Sequence, residues 1–202
     1  MSKGTLFVIS APSGTGKGTI VSRILADDPS VHFSVSATTR GPREGETDGV
    51  NYDVITREEF SGLIESGGML EYAEFCGNFY GTPKKPVFDK LLEGHDVILE
   101  IETVGAMKVK KACPEAVGIF ILPPSLYELR RRLEKRATDP EEVISARVAQ
   151  AKSEIEKSYQ YDYVVVNDDL EKAVADVKTV MKAAKNMTKT NKETIEGVLL
   201  KC

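Results

Sequence analysis

Short runs of almost unbroken apolar residues punctuate the chain: TLFVIS at 5–10, DVILEIE at 96–102, VGIFIL at 117–122 and YVVV at 163–166. Runs of this length, bounded by turn residues, predict strands buried on both faces. Between them the pattern changes to a helical one. Ile20, Val21, Ile24 and Leu25 mark a helix over 18–27, and further helices are predicted at 57–67, 83–92, 104–112, 141–159 and 170–185, with another opening after Ser125. Thr56 and Ser125 are N-cap residues by type, and Gly67 with Gly68 is a stop signal. Buried strands alternating with helices predict an α/β fold, a parallel sheet core with helices on both faces.

The stretch 35–82 departs from this pattern. A weakly alternating strand at 31–37 leads into a loop rich in Gly, Arg and Glu at 38–50, then short strands at 51–56, 69–76 and 78–80. It reads as a lobe inserted at the edge of the core. Arg130, Arg131, Arg132, Lys135 and Arg136 are five cations within seven residues, and Asp139-Pro140 breaks the helix that carries them. A basic segment between two helices is suited to closing over an anion, although a solvated helix face paired with Glu128 and Glu134 accounts for it equally well. The expected organisation is therefore a core of 1–34, 83–130 and 148–185, a lobe of 35–82, a lid of 131–147 and a tail of 186–202 with no structure assigned.

Composition narrows the function classes. The 202 residues are 41% hydrophobic and 29% charged, with 27 Lys and Arg against 31 Asp and Glu, a formal net charge of -4. A mildly acidic chain is poorly suited to wrapping nucleic acid or an anionic membrane, so an anionic ligand must be met by a local cluster of positive groups. No apolar run approaches the roughly 18 residues that span a bilayer. Cys76, Cys113 and Cys202 have neither metal nor disulfide spacing, and no secretory pattern precedes the first strand, so a reducing, cytoplasmic setting is expected. His32 and His95 are too few for a zinc site, and no Ser-His-Asp constellation is visible.

The strongest local signal is SAPSGTGKGT at 10–19, a glycine-rich loop between a strand and a helix. Ala11, Pro12, Ser13, Gly14, Thr15, Gly16, Lys17, Gly18 and Thr19 form the expected ATP-phosphate loop. Gly14 and Gly16 let successive amides face an anion, the helix N-terminus adds partial positive charge, and Lys17 reaches the phosphates. The usual motif starts with Gly and follows its Lys with Ser or Thr; here those places hold Ala11 and Gly18. The hydroxyl that ordinarily ligates Mg²⁺ is thus missing. Either Thr19 substitutes, or the metal is held mainly by water and phosphates.

A second anion site is suggested by SATTRGPR at 36–43, where Gly41-Pro42 stiffens a turn between Arg40 and Arg43. Tyr52 and Tyr80 carry phenols able to donate to phosphate oxygens. Glu71 is an acceptor-only group, which suits the N1–H and N2–H₂ donors of guanine and repels adenine, while Ser36 and Thr82 can donate to O6. Read alone, each of these residues is also an ordinary loop or half-buried sheet position.

Taken in order, SAPSGTGKGT, SATTRGPREGE, EYAEFCGNFYGTP, ILEIETVGA, FILPPS and VVVNDD resemble guanylate kinase, across about residues 4–185. The resemblance implies ATP-dependent conversion of GMP or dGMP with Mg²⁺, in a monomer or homodimer. It implies GMP binding by Ser36, Arg40, Arg43, Tyr52, Glu71, Tyr80, Thr82, Glu100 and Glu102, with Glu100 also a candidate near the metal. It implies catalytic roles for Lys17 and for lid arginines Arg132, Arg136 and Arg147, and places Asn167 near the adenine, although Asn167 is equally well read as a helix cap. Departures are Glu102 in place of Asp, Val104 in place of Gln, Lys135 and Ala137 in place of glycines, and Gly18 in place of Ser. Two rivals remain at this stage. An adenylate-type kinase shares Gly-Lys-Gly-Thr but has no use for Glu71. An inactive protein-binding relative is expected to lack Lys17 or the arginines.

Overall fold

The computed structural model describes residues 3–43, 45–135 and 140–200. Two sheets organise them. The first contains β1 (Leu6–Ser10), β2 (Val31–Phe33), β7 (Asp96–Glu100), β8 (Val117–Leu122) and β9 (Tyr163–Val166), in the order β2-β7-β1-β8-β9, with every pairing parallel. The second contains β3 (Ala37–Thr38), β4 (Asp53–Val54), β5 (Met69–Phe75) and β6 (Asn78–Pro83), in the order β4-β3-β6-β5.

The continuous apolar runs follow from burial on both faces of the first sheet. Along β1, Phe7 and Ile9 point to one side and Leu6 and Val8 to the other, as the two-residue period of a strand requires. The Phe7 side is covered by α1 (Lys17–Asp27) and α7 (Leu170–Ala184), through Ile20, Ile24, Val177 and Met181. The Leu6 side is covered by α3 (Lys84–Leu92) and α4 (Thr103–Ala112), through Val87, Leu91, Ala106 and Val109. Each large apolar side chain so buried contributes roughly 1.5–3 kcal/mol. A smaller core joins α5 (Leu126–Lys135) to α6 (Glu141–Glu156) through Leu129, Leu133, Ile144 and Ala151. Under the second sheet, Phe60 of α2 (Arg57–Glu65) packs on Ala37 and Met69. Thr56 caps α2 in a reciprocal box with Glu59.

The structure modifies several expected boundaries. The strand read over 31–37 is divided between the sheets: β2 ends at Phe33, the Ser34 N–H still donates to the Ile98 carbonyl, and β3 begins at Ala37. The strand read over 51–56 shrinks to β4, which pairs with β3 through the Asp53 N–H on the Ser36 carbonyl and the Ile55 N–H on the Thr38 carbonyl, while the Val54 N–H on its outer edge is taken by the Asp48 carboxylate. The strand read to residue 102 stops at Glu100, since Glu102 is already the N-cap of α4. Pro83 ends β6 and precedes α3 instead of opening it. A two-residue turn joins β5 to β6 with both Cys76 (φ 49°) and Gly77 (φ 74°) left-handed, the geometry of a tight hairpin. In the tail, a 3₁₀ turn at Thr188–Thr190 precedes α8 (Lys192–Leu199). Lys189 fastens this turn to the core by donating to Asp162 Oδ1 at 2.8 Å and to the Ala116 carbonyl at 3.1 Å.

Candidate active site

The central strand β1 ends in the glycine-rich loop. Gly14 (φ 88°) and Gly16 (φ 91°) are both left-handed, so the chain curls where β-carbons are not tolerated. The Thr15 N–H closes the curl on the Pro12 carbonyl at 3.2 Å, and α1 starts at Lys17 directly after the loop, with Gly16 as an N-cap that offers no side-chain acceptor. The parallel register pairs Ile9 with Glu100 on β7, so Glu100 emerges beside the loop. Its Oε1 lies 3.7 Å from Lys17 Nζ. Burial lowers the affinity of Lys17 for its proton, and the charges of Glu100 and Glu102 oppose that effect. Loop residues 11–14 and 16–19, with Glu100, Glu102, Gln150 and Glu154, enclose a cleft of about 330 Å³. Lying at the carboxyl ends of the strands, it is where open parallel sheets bind ligands.

Gln150 and Glu154 are residues that sequence reasoning missed. They stand three and seven positions after Arg147 on α6, a helical stripe visible in the spacing, although the spacing does not say what the stripe faces. Burial pushes the Glu154 carboxyl above its ordinary range, Gln150 pulls it back through a 2.7 Å hydrogen bond, and Glu102 adds to the rise.

Two side chains converge on one carbonyl of the loop. Asn167, buried just beyond β9, donates from Nδ2 to the Thr15 carbonyl at 2.7 Å, and Arg132 Nη1 reaches the same oxygen at 3.5 Å. The N-cap of α7 is Asp169, which accepts from the Lys172 N–H, so capping is not the role of Asn167. A methyl group on Gly16 would lie 2.7 Å from Asn167 Nδ2, and one on Gly14 would lie 2.7 Å from Leu133 of α5. Arg132 also pairs with Glu128 at 3.0 Å, and the bonds from Arg131 and Arg132 hold the Glu128 carboxyl down at about 2. Arg147 lies half-buried on α6. Arg136 and Ala137 lie outside the described residues.

On the second sheet, Arg40, Tyr52 and Tyr80 form one cluster. Arg40 Nε donates to the Tyr80 phenol at 3.2 Å, its guanidinium stands 5.5 Å from the Tyr52 ring centroid, and the two tyrosine rings meet edge to face at 5.9 Å. Both oxygens of Glu46 accept from the single nitrogen Arg40 Nη2, at 3.0 and 2.8 Å, and Glu46 also accepts from the Arg43 N–H, while Arg40 Nη1 donates to the Gly41 carbonyl at 2.7 Å. Ser36 sits half-buried on the crossing between the sheets.

Glu71 and Thr82 face each other across β5 and β6. Thr82 Oγ1 donates to Glu71 Oε1 at 2.8 Å. The hydroxyl expected to meet a base oxygen instead orients the carboxylate. Burial pushes the Glu71 carboxyl above its ordinary range, while Thr82 and the charge of Lys108 act in the opposite sense.

Comparison with known proteins agrees with this geometry. The family model for guanylate kinase matches residues 3–184. A guanylate kinase of Carboxydothermus hydrogenoformans is 52% identical over 185 residues, 92% of this chain and 91% of its own. One from Neisseria gonorrhoeae is 53% identical over 91% of this chain and 89% of its own. The crystal structure of guanylate kinase from Anaplasma phagocytophilum superposes with a TM-score of 0.75 at 36% identity, covering 94% of this chain and 90% of that one. With the loop, the cleft and the second sheet arranged as described, the chain belongs to the guanylate kinase family, which catalyses ATP-dependent phosphorylation of GMP to GDP.

Proposed function

We propose that the chain performs its family's reaction with the following division of labour. The loop amides and Lys17 hold the ATP phosphates. Glu71 reads guanine through its donors, and Arg40, Arg43, Tyr52 and Tyr80 take the GMP phosphate, which replaces Glu46 as the anion on Arg40. Arg132, Arg136 and Arg147, on a closing segment of about 131–147, neutralise the phosphoryl group in flight. The acceptor is already an anion, so no general base is needed, and catalysis reduces to positioning and charge neutralisation.

The observation that carries this reading is the Ile9–Glu100 register, which sets a half-buried lysine and a carboxylate at the mouth of a left-handed glycine loop. The same cleft contains Glu100, Glu102 and Glu154 against Lys17, an excess of negative charge where a triphosphate must enter. Among the described residues no group of three carboxylate, imidazole or thiolate side chains is placed to hold a metal ion by itself, so the hard oxygen donors Thr19 and Glu100 fit Mg²⁺ only as holders through water and the ATP phosphates. Bound there with ATP, the ion would supply charge neutralisation at the phosphates.

Coupled measurement of ADP release with GMP, dGMP, AMP, UMP and CMP tests the assignment. Turnover with GMP and dGMP should exceed that with the other three by at least about 10²-fold. Comparable rates with AMP would overturn it.

A further inference from the structure

Gly105 is the third residue of α4, inside a helix and far from any turn. Glycine there is destabilising relative to alanine, and its backbone is not left-handed, so conformation does not call for it. Its surroundings do. A methyl group at Gly105 would lie 2.8 Å from Glu71 Oε2, 3.2 Å from its Cδ and 3.6 Å from its Cγ. The other oxygen of the same carboxylate is held by Thr82 at 2.8 Å. The strand carrying Glu71 is itself tied to α4, because Lys108 Nζ donates to the Tyr72 carbonyl at 2.6 Å. The carboxylate is thus lodged between a hydroxyl on one side and bare helix backbone on the other. That backbone is the first turn of α4, where the first intrahelical donor is Ala106, bonded to the Glu102 carbonyl.

We infer that Gly105 is a positioning residue for base recognition: the absence of its side chain gives the Glu71 carboxylate the place from which it meets the guanine edge. This deepens the reading of Glu71 as the guanine reader and rests on it. The atom that a new methyl group would strike is the tip of a flexible side chain, not backbone. The consequence of filling the space therefore falls on the orientation of the carboxylate and leaves the helix intact.

The test is Gly105→Ala, assayed for both substrates and for thermal unfolding. The melting temperature should hold or rise, KM for ATP should stay within about twofold, and KM for GMP should rise at least about tenfold. The preference for GMP over AMP should narrow by a similar factor. Shortening the reader in the same background, Gly105→Ala with Glu71→Asp, should be non-additive, because the shorter side chain clears the methyl group. An unchanged KM for GMP in Gly105→Ala overturns the inference. So does a parallel rise in KM for both substrates or a lost fold, either of which assigns Gly105 to helix packing alone. Glu71→Gln separates the two layers: if it leaves the GMP-to-AMP preference intact, the reader itself is misassigned. If it narrows the preference while Gly105→Ala does not, only the role of Gly105 fails.

Discussion

The side-chain amide of Asn167 donates a 2.7 Å hydrogen bond to the carbonyl of Thr15, 152 residues earlier in the chain. The bond joins the end of an edge strand to the middle of the phosphate loop, and Gly16 leaves the room that it needs. Thr15 is fully buried, so its carbonyl has no water to turn to. Asn167→Ala should leave that oxygen under-satisfied at a cost of about 1–3 kcal/mol, reducing kcat/KM for ATP by roughly 5- to 150-fold. KM for GMP should change little. Steady-state kinetics with each substrate varied in turn provide the check, and Asn167→Asp, which sets a carboxylate against the carbonyl, should be worse.

Lys17→Ala should lower kcat by at least ~10²-fold, or ~2.7 kcal/mol, because the ammonium is most valuable once charge moves between the phosphates. The fold should persist. Lys17 is a half-buried cation whose desolvation already lowers its proton affinity, and its removal leaves Glu100 at the solvent-facing mouth of the cleft. Single-turnover kinetics together with thermal unfolding separate a loss of chemistry from a loss of structure.

Glu71 should exchange stability for function as pH changes. Burial raises its folded-state pKa, so proton uptake favours the folded chain. Its stabilising contribution is present below the unfolded-state pKa and is lost as pH rises through the higher folded-state value. At neutral pH the ionised carboxylate is therefore a burden, and Glu71→Gln should melt at a higher temperature than the parent. The gap should close as pH falls through the carboxylate range. Over the same window KM for GMP in the parent should climb, since protonation converts an acceptor into a donor facing guanine N–H groups. Melting curves and GMP titrations across pH 4 to 8 should move together; a stability gap independent of pH would assign the effect to packing.

The 3₁₀ turn at Thr188–Thr190 lies beyond the family match at residues 3–184, yet Lys189 is half of a two-lysine grip on Asp162, the other half being Lys110 at 3.1 Å. Burial raises the Asp162 carboxyl, and the bonds from Lys189, the Gly118 N–H and Lys110 outweigh it to leave a net depression. Lys189→Met should cost about 1 kcal/mol, a fall of about 2–4 °C in Tm, with kcat and both KM values unchanged. The loss should be largest above the ordinary carboxylate range and should shrink as acid protonates Asp162. Differential scanning calorimetry at two pH values measures both.

How much of this was legible beforehand depended on whether a feature was local. The strands of the first sheet could be read because burial on both faces forces an uninterrupted apolar run, and the curl of the glycine-rich loop because left-handed backbone at residues 14 and 16 favours glycine. The division of residues 31–37 between two sheets was not legible, since Val31, Phe33 and Ala37 are equally apolar whichever sheet receives them. The duty of Asn167 depended on a partner 152 positions away, and that of Gly105 on a carboxylate from the other sheet. Glu154 was hidden differently: its stripe on α6 was visible, but only the cleft shows that the stripe faces the phosphate loop.

The chain passes from the first sheet to the second at residues 34–36 and returns where β6 runs into α3 at Pro83 and Lys84. Two crossing points define a line. Rotation about that line would leave every strand pair in both sheets unbroken, which makes the second sheet a door on two hinges, latched where Leu70 packs into the core beside α4 and Lys108 Nζ donates to the Tyr72 carbonyl at 2.6 Å. Any swing of that door carries Glu71 relative to Gly105, because the carboxylate rides on the door and the glycine on the frame. A spectroscopic distance label on each side of this line should accordingly report one coordinate, shared by every pair of sites chosen across it.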